Sequence, residues 1–135
     1  MLFRSDFDVF VTKSTNGGAT WSTPQRLAVA RHQYNPAITI DSNGAVNVSY
    51  LDRRDDSNNC LTNTYLSRFS FGGTPTDYKI SDAASNFNGN ANGPGDYTGI
   101  TRSLVGTTVN PYFADHRNSD SGGNGGGFEI YTATQ

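Results

Sequence analysis

Two stretches pair an acid with a base at the same spacing, Asp52-Arg53-Arg54 and Asp115-His116-Arg117. Such a pair can do two kinds of work. The guanidinium, permanently charged and forked, can grip a substrate carboxylate while the carboxyl serves as a general acid. In the other role the two side chains pair with each other or with backbone and fix a corner of the fold. A feature repeated in each structural unit suits the second role, because a single active site breaks the repeat. Unrepeated residues are therefore of interest beside the pairs. His116 takes the place of Arg53, and its ordinary pKa suits proton transfer near neutrality; the plain alternative is a surface histidine without a role. Arg31 and Tyr34 lie in one connecting stretch, Arg31-His32-Gln33-Tyr34, and Tyr97 lies in another, Gly95-Asp96-Tyr97-Thr98-Gly99. Each tyrosine can stack on a sugar ring or pack as core. The candidates are thus Asp52, Asp115 and His116 for catalysis, and Arg54, Arg117, Tyr34, Tyr97 and Arg31 for substrate binding. Arg102 ranks below the two paired arginines.

Oxygen donors gather in the loops that follow the pairs. Asp52, Asp55, Asp56, Asn58 and Asn59 lie in one, and Asp115, Asn118 and Asp120 in the other. These types suit Ca²⁺, but neither loop has EF-hand spacing, and a solvated polar loop is the favoured reading. No other metal or cofactor is expected. The single cysteine, Cys60, excludes an intrachain disulfide and a cysteine-based zinc site. No Gly-x-Ser-x-Gly elbow, His-Glu-x-x-His pair or phosphate-binding loop ahead of a helix is present. The Gly-rich stretch 122–127 reads as a loop between strands.

The elements that must position these residues are short strands. The chain has 135 residues, 34% hydrophobic and 16% charged, with 15 Gly, eight Phe and seven Tyr. That length suits one compact domain. Few aliphatics with many aromatics, β-branched residues and Gly/Asn/Ser/Asp turns describe an all-β chain. A net charge of −2, with basic residues scattered, gives no reason to expect nucleic acid or an anionic membrane as partner. No apolar run reaches membrane-spanning length, and the first residues lack the apolar core of a signal peptide. Alternation predicts strands at 7–13, 24–29, 35–40, 45–51, 61–69, 77–80, 97–102, 107–113 and 128–134. Asp41-Ser42-Asn43-Gly44 predicts a hairpin turn, and residues 82–96 the longest connection.

The pattern repeats. Residues 35–40 and 46–54 correspond to residues 97–100 and 108–117, and Asp52 to Asp115 spans the same 63 residues as Arg54 to Arg117. Glu129, the only Glu, aligns with Asp8 and Asn63. Ahead of the first full unit stands Ser14-Thr15-Asn16-Gly17-Gly18-Ala19-Thr20-Trp21, a turn whose Trp is expected to anchor the returning strand.

That turn resembles the Asp-box (BNR repeat) of sialidase-like β-propellers, with Asn16 where the family has Asp. The resemblance implies a partial β-propeller of four-stranded antiparallel blades. Residues 1–34 would end one blade, 35–81 form a complete one, and 82–135 supply three strands of another. Two and a fraction blades leave sheet edges open. Completion by self-assembly is therefore expected, three copies giving a six-bladed ring. The resemblance further implies a carbohydrate-active protein, glycoside hydrolysis being the enzyme reading and a glycan or small glycoside the ligand. Location outside the cell is also implied by the family alone. A sialidase site needs a Tyr nucleophile with its Glu, an Asp acid and three arginines. That set is incomplete in one chain, and the family's Arg-Ile-Pro motif is absent. The alternatives are a non-catalytic glycan- or protein-binding propeller module, and a truncated propeller without evolved activity.

Overall fold

The structure, a computed structural model, describes residues 7–27, 30–87, 98–115 and 129–132. Ten strands follow one another: β1 (Phe10–Val11), β2 (Gln25–Arg26), β3 (Gln33–Ile40), β4 (Val46–Asp52), β5 (Leu61–Phe69), β6 (Thr76–Lys79), β7 (Ser85–Asn86), β8 (Gly99–Arg102), β9 (Val109–Asp115) and β10 (Glu129–Thr132). They form three antiparallel sheets: β1-β2, then β3-β4-β5-β6 with β7 added to β5, then β10-β9-β8. The fold is all-β among the described residues, as the composition requires.

Nine of the ten strands fall where alternation predicts them. The tenth, β7, lies in the stretch expected to be a connection. Its cause is a length mismatch. β5 is nine residues long, and β6 pairs only with its residues 65–68. The open edge at Leu61 and Thr62 is taken by Asn86 and Ser85 as the chain returns. β1 and β2 are shorter than predicted, with only two residues each in register. β3 begins earlier, so Tyr34 lies in a strand rather than in a connection. Between Tyr34 and Ala37 the register shifts, with Asn35 at φ 50° and Pro36 unable to donate to the ladder.

β4 is buried along its whole length. Alternate side chains point to opposite faces, so the central sheet has two cores. On one face Val46, Val48 and Tyr50 of β4 and Tyr65 and Phe69 of β5 meet Val9, Val11 and Leu27 of the first hairpin, with Phe71 alongside. Burying each aliphatic side chain there contributes about 1.5–3 kcal/mol. On the other face Leu51 and Leu66 are sealed, and β8 lies against β3 and β4. Two hydrogen bonds tie that side together: Ser42 Oγ donates to the Gly106 carbonyl at 2.5 Å, and Thr98 Oγ1 to the Asn35 carbonyl at 3.2 Å.

The sequence repeat is a repeat of strand register. Asp52 stands opposite Asn63, and Asp115 opposite Glu129. Ile38 pairs with Val48 as Ile100 pairs with Pro111. The first hairpin follows the same frame. Phe10 faces Arg26 as Tyr65 faces Lys79, and the Leu27 N–H reaches the Val9 carbonyl as the Ile80 N–H reaches that of Thr64.

Candidate functional site

Two of the described candidates, Asp52 and Arg54, meet where β4 runs into the loop before β5. Asp52, the last residue of β4, is completely buried. Its Oδ1 accepts the Arg54 backbone N–H at 2.6 Å, and its Oδ2 accepts the Arg54 Nε–H at 2.8 Å. Arg54 Nη2 also lies 2.7 Å from Asp52 Oδ2. The single x residue of Asp-x-Arg thus forms an arch that folds the guanidinium back onto its own acid.

The remaining faces of that guanidinium are taken as well. Nη1 pairs with Asp77 of β6 at 2.5 Å, and Nη2 donates to Tyr50 Oη at 2.8 Å. The plane lies over the Tyr65 ring, 4.2 Å from its centroid. Tyr50 Oη and Ser67 Oγ are 2.7 Å apart, and Ser67 donates to Asp77 Oδ1. The Ser67 proton being committed, Tyr50 is the donor of that pair. Arg54, Tyr50, Ser67 and Asp77 therefore close a hydrogen-bonded ring. Tyr65 donates to Asp55 at 2.8 Å, and Asp55 is paired with Lys79 at 2.9 Å.

This wiring sets the protonation states. Burial pushes the Asp52 carboxyl up, against the downward pull of its hydrogen bonds from Arg54. Burial disfavours the charged Arg54, but the Asp52 and Asp77 carboxylates outweigh it and raise its pKa. Burial raises Tyr50, and burial with the Asp55 carboxylate raises Tyr65. A tyrosine nucleophile needs the opposite shift. What the cluster does chemically is hold charges in place: its acid, its base and both phenols are all engaged with one another.

The other candidates are placed separately. Tyr34 Oη is 2.8 Å from Thr62 Oγ1, and Arg53 lies over the Tyr34 ring at 5.5 Å. Arg53 also donates to Thr62 Oγ1 at 3.2 Å and to the Asn59 carbonyl at 2.7 Å. Arg31 is exposed, in the left-handed region at φ 61°, and its charge helps to lower the Asp56 carboxyl. Asp115 ends β9 in the register position of Asp52. His116, Arg117 and Tyr97 lie outside the described residues, as do residues 116–120 of the second polar loop.

The first polar loop is organised by its own backbone. Asp56 accepts the N–H groups of Asn58, Cys60 and Leu61 at 3.0, 2.9 and 2.7 Å. Those three amides hold its carboxyl below the ordinary range. Asp52, Asp55 and Asp56 thus serve three different partners, and no metal-binding group of three forms among the described residues. Sequence reading missed Asp77, Tyr50 and Tyr65 as partners of the pair, and Lys79 as the partner of Asp55. The available signal was the alternation of β4 and β5, which puts Tyr50, Asp52, Tyr65 and Ser67 on one face.

The Ser14–Trp21 turn closes on its own polar side chains. Ser14 Oγ donates to Asn16 Oδ1 at 3.0 Å and accepts the Gly18 N–H at 2.8 Å. Asn16 Oδ1 accepts the Thr20 N–H, and Asn16 Nδ2 donates to Thr20 Oγ1, both at 2.9 Å. Gly17 and Gly18, at φ 69° and 91°, supply the reversal. Trp21 is 62% exposed and is not the anchor expected of it. The return is held by Ser22, whose N–H reaches the Lys13 carbonyl and whose own carbonyl accepts the Thr12 hydroxyl, both at 2.8 Å. Beside Trp21 an open cleft of about 270 Å³ is lined by Lys13, Thr15, Thr20, Ser22 and Phe71.

Comparison with protein-family models, with curated proteins and with solved structures found no match to this chain.

Proposed function

We propose that this chain is part of a sialidase-like β-propeller of the Asp-box type with a carbohydrate-related role. Glycoside hydrolysis is the reaction the resemblance implies. The observation that carries the reading is the Ser14–Trp21 turn, in which the Ser, Asn and Thr of the pattern each hold the loop by hydrogen bonds. Sheets of two, five and three strands stacked in one repeated register support it. In the catalytic form, arginines grip an anionic or polyhydroxyl sugar and an aspartic acid protonates the leaving oxygen. Asp115 and Arg117, with His116 and Tyr97, are the candidates for that work, because Arg54 and Asp52 are already committed to each other.

A second reading has its own support. Trp21 presents an exposed aromatic face beside hydroxyls and a lysine in the cleft of Lys13, Thr15 and Thr20. A flat apolar ring edged by hydrogen-bonding groups suits the face of a sugar. That favours a non-catalytic glycan-binding module.

A panel of chromogenic glycosides, with and without sialic acid, run beside a glycan array separates the two. Turnover that is lost in Arg117→Ala supports the hydrolase. Binding without turnover, lost in Trp21→Ala, supports the binder. Neither turnover nor binding overturns the carbohydrate role.

A further inference from the structure

The first sheet covers only half of the face it packs on. β1 and β2 lie over the β4–β5 half, through Val9, Val11 and Leu27. Toward β3 the same face is open. Ile38 and Ile40 are 57% and 54% exposed, and residues 9–12 wall a groove of about 230 Å³ floored by Pro36, Ile38 and Val48.

The wall of that groove is a strand edge ready to pair. The Leu27 N–H bonds the Val9 carbonyl, so Val9 and Leu27 form a hydrogen-bonded pair across β1 and β2. Pairs alternate along an antiparallel ladder, so the next pair, Phe10 and Arg26, is not hydrogen-bonded. The Phe10 N–H and C=O therefore point away from β2, into the groove. In the repeat frame Phe10 stands where Tyr65 stands in β5, and the strand on that side of Tyr65 is β4. Among the described residues β1 pairs with β2 alone, and its other edge thus calls for a strand of the β4 kind.

Among the described residues one other strand is of that kind, β9, and the edge on which β4 takes β5 is there paired with β10. In sequence β10 matches β1: Glu129-Ile130-Tyr131-Thr132 against Asp8-Val9-Phe10-Val11. Tyr131 faces Phe113 as Tyr65 faces Tyr50.

We infer that the β1–β2 hairpin of one copy replaces β10 on the β9 edge of a second copy. The product is a four-stranded sheet, β8-β9 from one chain and β1-β2 from the other. β8 and β9 of the second copy then lie over Ile38, Ile40 and Val48 of the first. Main-chain hydrogen bonds supply the affinity, and the apolar floor sets the register. The inference deepens the self-assembly part of the propeller reading, yet rests on strand register and the open groove rather than on any sugar chemistry. A glycan-negative protein leaves it untouched, and a monomeric one removes it while leaving the sugar question open.

Light-scattering mass of the full chain at tens of micromolar tests it, with far-UV circular dichroism as the check on folding. Wild type is expected above the 14.6 kDa of one chain, three copies making six stacked units. Phe10→Pro removes an N–H that the hairpin does not use and is expected to return monomer. Ile38→Asp places a charge on the groove floor, at a position already exposed in one copy, with the same result. Tyr131→Pro loosens β10 from β9 and is expected to move the distribution toward assembly. Leu104→Asp, at a fully exposed turn tip, leaves the mass unchanged. A monomeric wild type overturns the inference. So does an oligomer indifferent to Phe10→Pro, or one in which Tyr131→Pro acts in the same direction as Phe10→Pro.

Discussion

Arg54 shows how far the duties of one side chain decide what it is free to do. Its guanidinium meets two carboxylates, a phenol oxygen and an aromatic face. Arg54→Ala leaves Asp52 buried without its counter-charge. The expected loss is about 3 kcal/mol of unfolding free energy in urea titration, and Arg54→Lys recovers only part, lacking the fork and the stacking plane. A gripping arginine would behave differently, losing ligand affinity with its unfolding midpoint unchanged. Asp41 carries a pH signature. Burial raises its carboxyl, but the Ala45 and Asn43 amides, the Asn47 amide and the Arg68 guanidinium together hold it below its ordinary value. Its unfolded form binds the proton more tightly, so its contribution is complete above the unfolded value of about 4 and is lost as pH falls through the folded one. Asp55 and Asp56 act in the same sense. Asp52 acts in the opposite one, stabilising below its unfolded value and less as pH rises through its raised value. Asp41→Asn is expected to shrink the acid-induced loss of stability below pH ~4, read as urea midpoints across pH.

The elements were largely legible because β-structure here is written locally. Alternation placed β3, β4, β5 and β9, and Asp41-Ser42-Asn43-Gly44 marked the hairpin between β3 and β4. In that hairpin Asp41 accepts the Asn43 and Ala45 amides, and Gly44 sits at φ 80°. Gly44→Ala forces a Cβ into the left-handed region and is expected to cost about 1 kcal/mol by chemical denaturation. β7 was not legible, since its pairing answers to the unequal lengths of β5 and β6 rather than to any pattern of its own. The candidate site divides in the same way. The Asp52–Arg54 spacing announced a pair, whereas Asp77 and Lys79 enter through the β5–β6 register, which the loop of 70–75 sets. Trp21 departs from expectation for a similar reason: its place at the end of the turn suggests an anchor for the returning strand, but the hydroxyl and amide bonds of the turn hold the return without it.

At the scale of the molecule, the unequal cover on the central sheet sets how the whole opens. β4 has a strand on each edge and a packed layer over each face, while β1, β2 and β7 are two-residue pairings. Breathing at the margins frees the latter without disturbing β4, whose amides reach solvent only when the structure opens globally. Deuterium uptake should therefore be slowest at residues 47–51 and fastest at the short pairings, with protection in β4 falling in step with stability in Arg54→Ala. The strand at the centre thereby becomes a built-in gauge: its exchange rate reads the free energy of the entire fold, and a ligand, an assembling copy or a changed pH would each register there as a measured slowing or quickening of the same few amides.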